Sequence, residues 1–285
     1  MTTQTAPSTP ATLRRASVLG TRRLGAGVVR VTLGGPDLTG LPPAAPDGYL
    51  KLFFPRDRRT VPALPEIPAD GDVGRWYSTY LAMPDDERPP MRTYTLRRRL
   101  DGPDGVAIEV DLVLHGDGGG PGERWARTAE VGDRIAFTGP YGLYAPRSEH
   151  DALLLVGDET AVPAMGAIVE ALPAGMHARV IATAASAAEV QHWSTGGRVE
   201  VTWVHRDDDG PGLLDAVTRT GERPYVWLAG EATVVRDLRR HLTRERGVDK
   251  RDVQFCGYWR AGRSEDQAAA EAEAASERGE DPDAD

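Results

Sequence analysis

At 285 residues, with 40% hydrophobic and 27% charged side chains, the chain exceeds what one core usually serves, so two globular units are expected. Of its net charge of −9, residues 264–285 carry −8; the remainder is near neutral, which argues against bulk nucleic-acid binding. A single cysteine, Cys256, excludes an internal disulfide or thiolate cluster. Six histidines without HExxH spacing give no reason to expect a metal held by protein ligands, and no apolar run is long enough to span a bilayer.

The first residues, MTTQTAPSTP, have neither the basic start nor the apolar stretch of a secretory signal. They are read as a disordered end (1–11) of a cytoplasmic protein. From residue 12 to about 140, β-like segments follow one another: RRASVLGTRRL, GVVRVTLGG, YLKLFFP, RTYTLRR, VAIEVDLVLHG and DRIAFTG. Their period-two or short apolar patterns, broken by Gly, Pro and Asp, predict an antiparallel barrel or sandwich of about six strands. A polar, proline-rich stretch, roughly 56–90, reads as a surface excursion. Lys51 and Lys250 are the only lysines among 34 basic residues, and Lys51 is the unexpected one because it sits in an apolar strand.

In MRTYTLRRR, Arg92 offers a planar fork for phosphate oxygens, Tyr94 a flat ring, and Thr95 a hydroxyl for a ring nitrogen. Together they suit a flavin dinucleotide. The same pentapeptide also reads as a half-exposed edge strand with cationic surface residues. Arg97, Arg98 and Arg99 have no role legible in the sequence. The strand ending in DLVLHG then runs through a glycine-rich loop into a helix starting near Gly122, whose unpaired N–H groups could receive a pyrophosphate. A plain turn and helix cap fits that segment too.

From Asp151 the rhythm becomes strand–helix alternation: LLLVGDE, then ETAVPAMGAIVEALP, HARVIATAA, RVEVTWVHR, GLLDAVTR, PYVWLAG, EATVVRDLRRHLTRERG and DVQFCGYW. This predicts a parallel sheet with ligands at the carboxyl ends of its strands. Gly157 stands at the first strand–helix turn without a G-x-G-x-x-G pattern. Asp158 and Glu159 there would repel a phosphate, so a nicotinamide near Thr160 is the better fit. HARVIATAAS ends in small neutral residues. Arg206 and the arginines of the helix 231–247 could meet a 2′-phosphate, which favours NADPH over NADH; Arg236, Arg240 and Arg244 also read as a solvated helix face. Residues 264–285, with nine acids and one arginine, read as a disordered acidic tail.

In this order, RTYTLR, LHG…GP…RWA, VGDETAVPA, LAGEA and GYWR resemble the siderophore-interacting protein family, flavin-dependent ferric-siderophore reductases of the ferredoxin–NADP reductase type. The resemblance spans about residues 12–263. It implies an antiparallel six-stranded FAD-binding β-barrel (12–147) followed by a Rossmann-like NAD(P)H-binding domain with a parallel sheet (148–263). It implies FAD contacts at Arg92, Tyr94, Thr95, Leu96, His115, Gly116, Gly122, Glu123, Arg124 and Trp125. Asp158, Thr160 and Ala161 fall on the motif near the nicotinamide, and Gly230, Glu231 and Ala232 on the second domain's G-E-A, with Tyr258 and Trp259 of GYWR as further cofactor-binding candidates. Tyr94 and Thr95 at the flavin, with Lys51 and Arg260 receiving an anionic ferric siderophore, are the catalytic candidates.

Two departures stand out. Glu123 replaces a small hydroxyl beside the expected phosphate, and Tyr141 replaces a basic siderophore contact that Arg147 could supply instead. The expected partners are a ferric siderophore, NADPH or NADH, and as a further candidate a ferredoxin. The alternatives are a flavin or ferredoxin-type reductase with another acceptor, or a siderophore-binding protein without enzymatic activity.

Overall fold

The computed structural model describes residues 12–114, 119–205, 212–217 and 224–263. His115, Gly116, Arg206 and both expected disordered ends lie outside these residues. Seven antiparallel strands form the first sheet: β1 (Arg14–Arg23), β2 (Val28–Gly34), β3 (Tyr49–Phe53), β4 (Met91–Thr95), β5 (Arg98–Gly102), β6 (Gly105–Val113) and β7 (Arg134–Tyr141), in the order β4-β3-β7-β1-β2-β6-β5. Six are those expected from alternation. The seventh, β5, is a charged hairpin arm paired with β6 through the turn Gly102–Gly105. After β4 the chain returns to β6, where the Arg97 N–H donates to the Glu109 carbonyl at 2.9 Å.

Alternation decides what each strand buries. Leu50, Leu52, Ile108, Val110 and Leu112 point into the barrel core with Val18, Val31 and Phe137. Helix α2 (Pro121–Thr128) closes that core with Trp125 and Ala126. Phe53, one residue out of phase, points outwards and is covered by the 56–90 stretch. That stretch forms helix α1 (Val73–Leu81), N-capped by Asp72 through the Arg75 N–H, and its Trp76 and Tyr80 build a second small core with Phe53, Met91 and Ala136. It is a packed layer rather than a mere excursion.

The second sheet is wholly parallel: β8 (Ala152–Gly157), β9 (His177–Ala184), β10 (Arg198–His205), β11 (Pro224–Glu231) and β12 (Val253–Trp259), in the order β10-β9-β8-β11-β12. β8 is buried at every position, as a strand covered on both faces must be. Helix α3 (Val162–Glu170) packs on one face; α4 (Leu213–Ala216) and α5 (Ala232–Arg240) pack on the other. The strand order reverses between β8 and β11, and their carboxyl ends open a crevice there.

A candidate flavin and nicotinamide site between the sheets

The two faces of β4 carry different chemistry. Arg92 lies opposite Leu52 and Tyr94 opposite Leu50, on the side of the barrel core, whereas Thr93 lies opposite Lys51 and Thr95 opposite Tyr49 on the outer side.

On the first side, Arg92 reaches the start of α2: its Nε is 4.0 Å from where a β-carbon on Gly120 would stand. Tyr94 sets its ring edge-on to Phe54 at 6.2 Å, and its hydroxyl lies so close to Gly122 that any side chain there would collide with it. A guanidinium and the bare, unpaired N–H groups of a helix start therefore converge on one spot, which is the chemistry of a diphosphate seat. Glu123, the residue out of keeping with that seat, is buried. Its carboxylate folds over Gly119 and accepts from Arg127 Nη2 at 2.6 Å, so its charge is countered within the helix. Arg124 is exposed and donates to the Gly119 carbonyl at 2.7 Å. Leu96 and Trp125 turn into the barrel core. Trp125 supports the seat indirectly, since Phe54 packs between it and Tyr94.

On the outer side, buried Thr95 and half-buried Tyr49 face the second sheet. Tyr49 packs with Tyr141 at 5.4 Å, so the second departure residue serves as an aromatic wall. Lys51 stands next along that face, opposite both Thr93 and Thr138. Tyr49 also lines a small cavity with Asp47, Leu143, Trp227, Gln254, Cys256 and Tyr258. Burial pushes the Tyr49 phenol up to about 12 and that of Tyr258 well above its ordinary value, so both are neutral hydrogen-bonding groups at neutral pH.

Across the crevice, Asp158 ties three strand ends together. One oxygen accepts from the Thr160 N–H at 2.9 Å and its hydroxyl at 2.5 Å; the other accepts from the Glu231 N–H at 2.7 Å and Trp259 Nε1 at 2.8 Å. Gly230, at φ +138°, is the residue this requires, because a β-carbon there would fall 2.5 Å from Asp158 Oδ2. Ala161 is buried under Gly157, and Ala232 packs against Gly257. Glu231 caps α5 by accepting from the N–H groups of Thr233 and Val234. These acids organise backbone and leave the crevice floor shaped rather than repelling. Trp259 and Arg260 are exposed at its rim. Arg147 does not supply the missing basic contact freely: it is engaged with Glu149 at 2.6 Å and with Asp252.

A cavity of about 290 Å³ lies at the carboxyl ends of β8 and β9, between the first turn of α3 and the barrel. Glu159, Val162, Pro163, Thr183 and Trp203 line one wall, and Val113 and Leu114 the other. Glu159 accepts from Thr183 Oγ1 at 2.8 Å. Among the arginines considered for a 2′-phosphate, Arg236 is exposed beside Asp237 at 3.6 Å, and Arg240 and Arg244 are exposed. Sequence reasoning missed Tyr49, Asp47, Thr183 and Trp203. Only Tyr49 had a signal, lying two residues before Lys51 and hence on the same strand face.

An antiparallel barrel sheet set against a parallel sheet open at its carboxyl ends is the ferredoxin reductase-like fold. Residues 17–144 match the siderophore-interacting FAD-binding domain and residues 150–262 the siderophore-interacting protein domain. A siderophore utilization protein from T. fusca is 34% identical with a TM-score of 0.70, the match covering 90% of this chain and 95% of that one. Ferric vibriobactin reductase ViuB of Vibrio cholerae is 28% identical over 84% of this chain and 86% of its own length. The NADPH-dependent ferric-chelate reductase of Escherichia coli is 28% identical over 87% of this chain and 93% of its own. The chain belongs to the siderophore-interacting protein family and is an NAD(P)H-dependent flavin oxidoreductase.

Proposed function

We propose that the chain is a ferric-siderophore reductase in which a FAD-binding unit (12–147) and an NAD(P)H-binding unit (148–263) carry electrons to chelated Fe(III) and release Fe(II). The observation that supports this most is the division of β4. Arg92 on one face meets the start of α2, and Thr95 on the other lies in line with Lys51 and faces the strand ends tied by Asp158. Bound FAD would supply the conversion of a nicotinamide's hydride into single electrons for Fe(III), which no side chain performs.

The chain's own residues do the rest. Arg92 and the N–H groups of Gly122 and Glu123 would hold the diphosphate. The Thr95 hydroxyl would donate to a ring nitrogen, and Tyr49 and Tyr258, neutral at working pH, would wall the ring from water. Asp158 holds Trp259 and, through it, the rim on which Arg260 sits. Lys51 and Arg260 dock an anionic chelate by charge without ligating its metal. Fe(II) binds hard oxygen donors more weakly than Fe(III), so reduction itself loosens the chelate. The compartment we propose is the cytoplasm, where NAD(P)H is supplied.

The test is anaerobic mixing of FAD-loaded protein with NADH or NADPH, then with ferric chelates, while flavin absorbance and chelator-trapped Fe(II) are followed. Bleaching by the dinucleotide and recovery on adding chelate, with Fe(II) formed, is the expected outcome. Lys51→Ala and Arg260→Ala should each raise the chelate's KM about three- to tenfold, as loss of one solvated charge pair does, while bleaching is unchanged. A chain that cannot be loaded with FAD sinks the reading. KM values unmoved by either substitution point instead to another electron acceptor.

A further inference from the structure

The arginines that follow the flavin strand cross to the other domain. Arg97, 4% exposed, donates through both terminal nitrogens to Glu170 at the end of α3, at 2.8 and 2.7 Å. Arg98 Nη2 reaches both oxygens of the same carboxylate at 3.2 Å. The ion pairs continue across the barrel's outer face: Arg98 to Glu109 at 3.8 Å, Arg30 to Glu109 at 3.4 Å and Arg30 to Asp111 at 2.6 Å. Three arginines and three acids thus form one network with no net charge, from β2 and β6 through the end of β4 to α3. Burial pushes the Glu170 carboxyl up, but the hydrogen bonds and charges of Arg97 and Arg98 outweigh it and leave it below its ordinary value.

The placement is unfavourable locally. An acid in the last turn of a helix faces the negative end of its dipole, and nothing in α3 itself relieves that; the relief comes from the other domain. The helix so held begins at Val162, directly after the turn of Asp158, Thr160 and Ala161. The strand that holds it ends at Thr95, two residues before Arg97. α3 is a rod of nine residues, or about 13 Å, with its crevice end at the nicotinamide turn and its far end in the grip of the flavin strand's own continuation.

We propose that Arg97 and Glu170 are positioning residues that hold the nicotinamide-binding turn in register with the flavin seat, setting the approach of the two rings for hydride transfer. This rests on the function proposed above. A displacement of about 1 Å between reacting groups can cost on the order of a hundredfold in rate. A buried two-pronged ion pair resists such displacement better than apolar contact, because it is directional.

The experiment uses full-length, FAD-loaded protein and the variants Glu170→Gln and Arg97→Lys, which keep size while removing one charge or the fork. Gly166→Ala provides an independent wedge: its β-carbon would fall 3.0 Å from Arg97 Nη2 and 2.6 Å from Trp193 Nε1. Five quantities are measured: FAD per chain, thermal midpoint, dinucleotide affinity from saturation of the anaerobic bleaching rate, the limiting rate at saturation, and the long-wavelength charge-transfer absorbance of the mixed rings. At least two variants should keep full FAD content and dinucleotide affinity within about twofold, while the limiting rate falls about tenfold or more and the long-wavelength charge-transfer absorbance of the mixed rings declines. Arg97→Lys should retain more of both than Glu170→Gln. Limiting rates within twofold of the parent in folded variants overturn the proposal. So does a loss of FAD content or of thermal midpoint that accounts for the whole loss of rate, including failure of all three variants to fold. A parent protein that is not bleached by either dinucleotide refutes the functional reading itself, and this inference with it.

Discussion

Arg92 and Arg99 stand seven residues apart in one arginine-rich stretch, and their surroundings decide different roles. Arg92 lies at the start of α2 beside Gly120. Arg99 is spent on Asp101, at 3.0 and 2.8 Å, and on the Leu41 carbonyl. Arg92→Ala should therefore lose a charge-assisted phosphate contact of about 1.5–3 kcal/mol, which is roughly ten- to a hundredfold in FAD affinity. Arg99→Ala should keep the parent's flavin stoichiometry. Absorbance of the purified proteins and titration of the apoproteins with FAD check both, and equal losses in the two would refute the assignment. Arg92, Gly122 and Lys51 stand out as candidates in the sequence because each is chemically odd where it stands: a cation on a strand, a glycine at a helix start, a lone lysine among apolar neighbours. Asp158 stands out as a candidate in the sequence but not for what it does, because two of its four bonds come from Glu231 and Trp259, far along the chain. Glu123 read as an obstacle to phosphate because the sequence does not show that Arg127, one turn on, takes its charge.

At the scale of elements, period-two alternation or short apolar runs marked six of the barrel strands, and the strand–helix rhythm marked the parallel sheet, in which β8 is buried at every position while β10 is not. β5 escaped because RRLDG has no apolar face; its pairing is set by the turn that follows and by β6. Helix α1 escaped because its surroundings are polar and rich in proline, while Trp76 and Tyr80, four residues apart and so on one helix face, are too few to stand out. Yet those two side chains cover Phe53, with ring centroids 5.7 and 5.3 Å away, on the strand that also carries Lys51. Trp76 further donates Nε1–H to the Pro65 carbonyl at 2.9 Å. Trp76→Ala should destabilise the barrel by about 3–5 kcal/mol, the usual cost of emptying a buried indole site. Denaturant unfolding followed by flavin release measures it. A loss below about 1 kcal/mol would mean that the 56–90 layer is dispensable to the barrel.

For the whole molecule, the contacts between domains had no local signature at all. The Arg97–Glu170 grip, the Gly27 N–H donating to Glu189 at 2.9 Å, and Asp47 beneath Trp227 each join residues from different domains. Asp47 accepts from the Leu143 N–H at 3.0 Å and from Trp227 Nε1 at 3.3 Å, which fastens the barrel's entry to β3 onto strand β11 of the parallel sheet. Burial pushes its carboxyl above the ordinary 3.8, against the lowering effect of the donors around it. The sign of the consequence follows from proton linkage. Between 3.8 and the raised native value, the folded chain binds a proton at Asp47 that the unfolded chain does not. The folded state thus gains stability from this group as pH falls through that window, and above it bears the cost of a buried charge. Asp47→Asn keeps one acceptor oxygen and removes the titration. The variant's thermal midpoint relative to the parent should therefore be most favourable near pH 7 and decline once pH falls through the raised native value toward pH 4, with the titrations common to both chains cancelling in the difference. A difference that is flat across that range, or that grows in the variant's favour as pH falls, would show that this carboxyl is not held at a raised pKa and that the Trp227 contact joins the domains without a charge cost.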